Sequence, residues 1–302
     1  MPNVKDLKVR IKSIKSTQKI TQAMKMVAAS KVRKVQQRVF NSRPYTDKLN
    51  SIVERIVCAI PPVDRKEVPL MVERGVKVVC LLVISSDRGL CGSYNTNILK
   101  KASRRILELE KEGKQVKLIL IGSKANNFFK RTNKEILDSF IQIPAIPTVE
   151  LANLIASSAN NAFVEGKVDI VETIGTSFIS MLRSDVYLKH FLPIVPAKEV
   201  AIEDPGTTPM EPAVKCESEV LFEPSLSTVL DSLLPLYLSN NIYHSLLEAT
   251  CSELASRMNA MSNATTNAKE LMDLLTIVYN KARQSSITQD ILEVVSGAEA
   301  LK

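Results

Sequence analysis

The stretch that decides the fold is Leu247-Glu-Ala-Thr-Cys251-Ser-Glu-Leu254-Ala-Ser-Arg-Met258-Asn-Ala-Met261-Ser-Asn-Ala-Thr265-Thr-Asn-Ala268-Lys-Glu-Leu-Met272-Asp-Leu-Leu275-Thr-Ile-Val-Tyr279-Asn-Lys-Ala282-Arg-Gln-Ser-Ser286. The numbered residues step by four and three. Eight of the twelve are Leu, Met, Cys or Tyr, and the other four are Ala, Thr or Ser. This is a seam of period 3.5 held for about five and a half heptads. A helix with that period winds left-handed around a partner. No Pro or Gly interrupts residues 239–296. Ser239 to Lys302 as one helix would reach roughly 90 Å. The period alone also fits an ordinary bundle helix, but a run well beyond 25 residues favours a coiled coil.

The other end of the chain carries a similar pattern. Residues 3 to about 58 predict one long helix with a seam at Val4, Leu7, Ile11 and Ile14. The seam loosens at Gln18 and resumes a step out of phase at Met24, Ala28, Val32, Val35 and Val39, which resembles a stutter. Pro44 is a candidate kink, and Pro61-Pro62 a stop. Two long amphipathic helices, each without a partner nearby in sequence, are best satisfied by pairing with each other, antiparallel. The fold class expected is therefore an antiparallel coiled coil of N- and C-terminal helices with an inserted, mostly parallel α/β domain.

The middle of the chain has a different texture. Val76 to Ser85 is a β-branched apolar run of strand length, followed by the turn Ser86-Asp-Arg-Gly-Leu-Cys-Gly92. Asn95 to Glu112 predicts a helix stopped by Gly113, and Val116 to Ile121 a second strand ended by Gly122. A helix is expected from about Lys124, another from Leu151 to Glu165, a strand from Asp169 to Ser180 and a short one from Phe191 to Val195. Alternation of strand and helix implies a parallel sheet. Residues 198–222 are acidic, contain Pro205, Pro209 and Pro212, and read as an exposed connector. Pro235 predicts a kink or a late start of the last helix. The expected divisions are 1–60 (N-terminal helix), 76–195 (α/β domain), 196–225 (connector) and 226–302 (C-terminal helix).

Charge is distributed unevenly. Residues 1–43 hold twelve Lys or Arg and one acid, Asp6, a net +11, which leaves −3 on the remainder of a chain of net charge +8. Such asymmetry points to an anionic partner at one end. The five cysteines (58, 80, 91, 216, 251) show no metal spacing and no C-x-x-C, which fits a reducing compartment. Cys80 and Cys251 read as small buried hydrophobes. No apolar run reaches the length of a membrane span, and no secretory or transit segment is expected at the N-terminus.

Little here supports catalysis. The Ser85–Gly92 turn lacks the Gly-Lys-Ser/Thr ending of a phosphate-binding loop, and is better read as a strand-to-helix turn. A nucleophilic Cys91 would need a base, and the two histidines, His190 and His244, lie in other elements. No cofactor and no metal site is expected. The N-terminal cations lie on several faces with no aromatic before Phe40, an arrangement poorly suited to nucleic acid. The last stretch, Ile291 to Leu301, is small and apolar where chain ends usually fray, and suggests an end held inside something.

Several segments carry a resemblance. Ile14-Lys-Ser-Thr-Gln-Lys-Ile-Thr-Gln-Ala-Met-Lys-Met-Val-Ala-Ala-Ser-Lys31 resembles the N-terminal signature of gamma subunits of F-type ATP synthases. Ser86-Asp-Arg-Gly-Leu-Cys-Gly-Ser-Tyr-Asn95 is similar to that family's central motif. Leu233-Leu-Pro-Leu-Tyr-Leu238, Ser256-Arg-Met-Asn-Ala-Met-Ser-Asn-Ala264, and Tyr279-Asn-Lys-Ala-Arg-Gln284 through Ser296-Gly-Ala298 are similar to its C-terminal signature. The match runs in order over the whole chain. It implies a central rotor shaft without catalysis of its own, coupling proton-driven rotation to ATP synthesis. The implied partners are alpha and beta subunits in a hexamer, an epsilon (or delta) subunit and the ring of c subunits. The implied place is the periphery of an energy-transducing membrane, on its ATP-synthesising side.

Carried over by position, the resemblance implies hexamer contacts at Met24, Arg257, Arg283, Gln284, Thr288 and Asp290, the last standing where the bacterial pattern has Glu. Chloroplast members bear an extra segment with a redox-active cysteine pair. Here residues 196–222 hold only Cys216, so no dithiol switch is expected. The wording of Leu82–Arg88 and Leu233–Asn240 is close to that of photosynthetic members. Two other functions compete. One is a basic coiled-coil scaffold for nucleic acid or an anionic surface, which a single exposed cationic stripe would favour. The other is an enzyme centred on the 85–92 turn, which the absence of a base and a metal disfavours.

Overall fold

In a computed structural model, the described residues are 4–61, 65, 68–195, 223 and 225–300. The 196–222 segment and the Cys216 expectation lie outside them. By contacts the chain divides into two units, Met1–Ser30 with Arg257–Lys302, and Lys31–Ser256. Two helices run through both, α1 (Val4–Ala59) and α5 (Leu226–Ala300).

The unit Lys31–Ser256 is built on a five-stranded sheet. Its strands are β1 (Val78–Ile84), β2 (Gln115–Ile121), β3 (Glu135–Phe140), β4 (Ile170–Phe178) and β5 (Ser184–Leu192). Their order is β3-β2-β1-β4-β5; the first four are parallel, and β5 runs antiparallel to β4. The helices between them are α2 (Tyr94–Lys111), α3 (Ser123–Phe129) and α4 (Val149–Val164). Two strands depart from the sequence expectation. β3 is a polar edge strand with no alternation, so its backbone pairing with β2 is what defines it. β5 begins at Ser184, and Phe191–Val195 supplies only its last two residues.

β1 explains why a parallel sheet needs two covering layers. Cys80, Leu82 and Ile84 project to one face, with Ile119 and Ile121 of β2. They pack on Ile155, Ala159 and Phe163 of α4, on Leu49, Val53 and Ile56 of α1, and on Leu230, Leu234, Leu238 and Ile242 of α5. Val79, Leu81 and Val83 project to the other face, against Ile98, Ala102, Ile106 and Leu109 of α2 and Phe129 of α3. A strand covered on both faces has no polar side, hence its unbroken apolar sequence. Burial pushes the Cys80 thiol up to about 12, as befits a small hydrophobe. α4 is started by Thr148, whose side chain accepts a hydrogen bond from the Leu151 amide at 3.4 Å.

Both prolines inside the helices are on exposed positions, where a carbonyl that loses its helical partner is still reached by water. α5 starts at Leu226 and continues through Pro235, so the late start predicted from that proline does not occur. In this unit the helices run antiparallel. Ser42 Oγ lies 3.1 Å from His244 Nδ1, and Asn240 Nδ2 donates to Thr46 Oγ1 at 3.0 Å, so numbers fall on α5 as they rise on α1.

The other unit contains only the ends of α1 and α5. Thr21 and Thr265 meet through their hydroxyls at 2.8 Å. This bond corrects the stutter. Leu7, Ile14, Thr21 and Ala28 here, and Val35, Ser42, Leu49 and Ile56 in the first unit, recur every seven residues, and none is exposed. That row of the α1 seam is in phase throughout, while in the neighbouring row Lys25 is exposed and Met24, one step away, is half-buried. The polar members of the seam, Gln18 and Thr21, conceal this in the sequence because a paired hydroxyl sits where a hydrophobe is expected. Such layers weaken a seam slightly but specify its register.

One ion pair fastens α2 to the sheet. Arg105 donates to both oxygens of Glu172 on β4, at 2.8 and 2.6 Å, and the Glu172 side chain is 5 % exposed. Arg105→Met strands a buried carboxylate and is expected to lower the unfolding free energy by about 3 kcal/mol, while the double change Arg105→Met/Glu172→Leu recovers most of it. Urea unfolding of the chain checks this; a double variant as unstable as the single one would show that the stranded charge is not the cause.

Candidate functional site

Two regions stand out, the turn after β1 and the surface of the paired helices. The turn is a closed network. Ser85 Oγ donates to the Ile121 carbonyl at 2.9 Å and accepts from the Ala125 amide at 2.9 Å. Ser86 Oγ donates to the Arg88 carbonyl at 2.7 Å, and Asn95 Nδ2 donates to Ser86 Oγ at 2.9 Å. Asp87 accepts from the Ser123 amide and hydroxyl at 2.8 and 2.7 Å, the Gln142 amide at 3.2 Å and the Ile143 amide at 2.6 Å. Burial pushes the Asp87 carboxyl up, but these hydrogen bonds outweigh it and hold the group below its ordinary value. Gly122 makes the closeness possible. Its φ is +92°, and a Cβ there would lie 2.4 Å from the Ser85 carbonyl oxygen.

In open parallel sheets, ligands bind where the strand order reverses, beyond the carboxyl ends of the strands. Here that point lies between β1 and β4, and the chain fills it. Tyr94, the first residue of α2, is buried, and its hydroxyl accepts from Thr176 of β4 at 3.5 Å. Phe178, the last residue of β4, packs with Val35 and Val39 of α1 and with Leu247 and Cys251 of α5. The groups of the 85–95 turn are engaged with one another. The arrangement braces β1, β2 and β3 together and offers no base next to Cys91. Among the described residues no cluster of three His, Cys, Asp or Glu is placed to hold a metal.

All six residues assigned from the resemblance fall in the unit Met1–Ser30 with Arg257–Lys302. Met24 and Arg257 are half-buried beside the seam. With Thr21 opposite Thr265, Met24 and Arg257 lie about 7 Å apart along the helix axes, more than a turn. The same register sets Val4 opposite about Ala282. Arg283, Gln284, Thr288 and Asp290 therefore lie on a part of α5 that α1, as far as it is described, does not reach, and all four are exposed. The Thr288 hydroxyl donates to the Gln284 carbonyl at 3.0 Å, a bond within the helix. On the same stretch Ile287, Ile291, Leu292, Val294 and Val295 are all exposed.

The cations of α1 are exposed beside the seam. Lys5, Lys8, Lys12, Lys15 and Lys19 follow one edge, while Arg10, Lys25 and Lys31 lie on others. Charge thus surrounds the helix and forms no single stripe. No helix among the described residues is long and apolar enough to cross a membrane. The sequence reading missed Thr21 with Thr265, and Arg43 with Glu248. The first pair was signalled by the seven-residue recurrence, the second by an acid set directly beside the apolar positions Leu247 and Cys251.

A braced α/β body and a long helix pair that exposes charged and apolar side chains are features of an assembly subunit by class. The family model described as ATP synthase matches residues 3–301. The ATP synthase gamma chains of Synechococcus sp. (strain JA-3-3Ab) and Thermosynechococcus vestitus are each 42 % identical, over 315 and 318 residues, and all of this chain and all of each relative is covered. The chain belongs to the ATP synthase gamma-chain family. Among solved structures, a chain of the Euglena gracilis mitochondrial ATP synthase (OSCP/F1/c-ring) has the same fold at 20 % identity, with a TM-score of 0.66 over 99 % of this chain and 94 % of that one. A chain from the central stalk/c-ring of the Tetrahymena thermophila enzyme gives 0.59 at 25 % identity, over 81 % and 99 %.

Two substitutions test the brace. Gly122→Ala meets both a positive φ and a backbone clash, and is expected to cost about 2–4 kcal/mol of stability. Asp87→Asn is expected to cost about 1–2 kcal/mol, reduced from a fully buried case because water reaches the group. Because the folded-state value of Asp87 is depressed, wild type keeps this advantage in full above the ordinary value of 3.8 and loses it as pH falls through the depressed one. Denaturant melts of both proteins between neutral and acid pH check it; a gap that widens on acidification contradicts the assignment.

Proposed function

We propose that this chain is the central rotor shaft of an F-type ATP synthase, passing rotation between a ring of c subunits and a hexamer of alpha and beta subunits without catalysing ATP chemistry itself. The paired helices, residues 1–60 and 226–302, are the shaft. The α/β domain, residues 76–195, is the foot that meets the c ring and an epsilon (or delta) subunit, and residues 196–225 connect the two. The chain sits at the periphery of the membrane that carries the complex, on the side where ATP is made.

The observation that carries this reading is the end of α5. Beyond Ala282 it has no α1 partner among the described residues, yet it exposes Ile287, Ile291, Leu292, Val294 and Val295. An apolar stripe of that length on a lone helix needs a cover, and a hexamer that encloses the shaft end provides one. Small side chains along α5 beside the seam (Ala260, Ser262, Ala264) suit a surface that turns against its surroundings without interlocking. The cations of α1 suit acidic loops met in succession. An exposed or partly shielded pair near 4 Å is worth a few kcal/mol at most, so it forms and breaks at each step.

Co-expression of the chain with the alpha and beta subunits of its own organism tests this. Recovery of one chain per hexamer, with ATP-driven rotation of a probe on the chain, is expected; a hexamer that hydrolyses ATP while the chain stays unbound would sink the proposal. Met24→Lys tests the contact level. It adds a cation able to hold one rotary position too tightly, by on the order of 1–3 kcal/mol. Hydrolysis is expected to persist while protons pumped per ATP fall, both measured on the same membranes. If the two fall in proportion, or neither changes, Met24 is a packed shaft residue and no torque contact.

A further inference from the structure

We infer that Arg43 is the positioning residue that fixes the angle between the helix pair and the sheet, so that rotation passes from one to the other without play. This deepens the rotor reading and rests on it. Arg43 belongs to α1, and its Nη2 donates to the Phe178 carbonyl at the end of β4, at 2.9 Å, and to Glu248 Oε1 on α5, at 3.0 Å. The guanidinium carbon lies 5.6 Å from the centroid of the Phe40 ring, which limits its swing. One guanidinium thus joins both helices and the sheet.

The surroundings show why such a group is needed. The joint is otherwise apolar: Val32, Val35 and Val39 of α1 and Leu247, Cys251 and Leu254 of α5 pack with Phe178. Apolar burial is strong but non-directional, so it resists separation far more than it resists rolling. A planar guanidinium whose Nη2 serves two acceptors has a preferred plane and distance, and supplies the directional restraint. Glu248, 8 % exposed, is met by Arg43 from α1, by His244 and Cys251 along α5, and by Tyr187 of β5. His244 Nε2 lies 3.5 Å from Glu248 Oε1 and carries charge only when protonated, while its Nδ1 is held by Ser42. Burial pushes the Glu248 carboxyl up, but His244 and Arg43 outweigh it and keep the group below its ordinary value.

The test uses the assembled enzyme, its hexamer fixed to a surface and a bead carried on a biotinylated peptide inserted at Thr132, in the turn that leads into β3. Thermal fluctuation of the bead angle during a pause reports the stiffness of everything between hexamer and sheet. Arg43→Met is expected to widen the angular variance about twofold. Arg43→Lys, which keeps the charge and loses the planar guanidinium, should fall between. A variance in Arg43→Met equal to wild type overturns the inference. If Arg43→Met does not assemble, Glu248→Gln carries the test: the same widening is expected, and wild-type stiffness overturns it. Should the wild-type bead fail to turn with ATP, the rotor reading is what fails. The joint is then judged on the free chain, where Arg43→Met must broaden the distance distribution between spin labels at Asp231 and Lys130, or the inference falls.

Discussion

Each of the two long helices exposes a seam that the other is suited to cover, and they do so antiparallel at one register. Most other features follow from that constraint. The seven-residue recurrence from Leu7 to Ile56 presents one stripe of α1 without a break. The hydroxyl pair of Thr21 and Thr265, like the contacts of Thr46 with Asn240 and Ser42 with His244, makes neighbouring registers costly, since a slip would bury each of these groups without its partner. Register then decides where α1 stops along α5, and so which residues of α5 remain uncovered. Past that point α5 exposes Ile287, Ile291, Leu292, Val294 and Val295.

The α/β unit illustrates how a fold suited to binding nucleotides serves a mechanical end. Its strand order creates the reversal point between β1 and β4 at which such sheets place ligands. Tyr94 fills that point, and the helix pair closes the end of β4 through Phe178. The turn that in other proteins would cradle phosphate is instead spent on Asp87, which gathers four hydrogen bonds from two other segments and ties β1 to the ends of β2 and β3. The function of this body is to hold its shape.

Much of this was legible in the sequence because it rests on periodicity. The apolar run of β1, the seam of α5 from Leu247 to Ala282, and the antiparallel pairing were all evident from spacing, and the family was evident from motifs. What was not legible depends on partners distant in the chain. β3 is polar and becomes a strand only beside β2. β5 was displaced toward its own end because Asp185, Lys189 and His190 obscure the alternation. The seam read as loosening from Gln18 until Met24, since nothing local shows that Thr265, which is 244 residues away, completes it at Thr21. Arg43 read as one more surface cation, though its partners on α5 and β4 set it apart. Arg283, Gln284, Thr288 and Asp290 were taken from the family pattern; all four are exposed, and their own periodicity does not single them out.

The same separation has a consequence for biosynthesis. α1 emerges from the ribosome first, and the α5 residues that cover its seam emerge last. At roughly 5–20 residues per second, Thr21 waits on the order of ten to fifty seconds for Thr265. During that interval Leu7, Ile14, Val32, Val35 and Val39 face water or whatever else is at hand, on a helix that has no second strand to its coil. The dense positive charge on residues 1–43 then serves as a gatekeeper, since nascent α1 segments repel one another before they can pair between chains. The charge on α1 thus also protects the unfinished helix from its own copies.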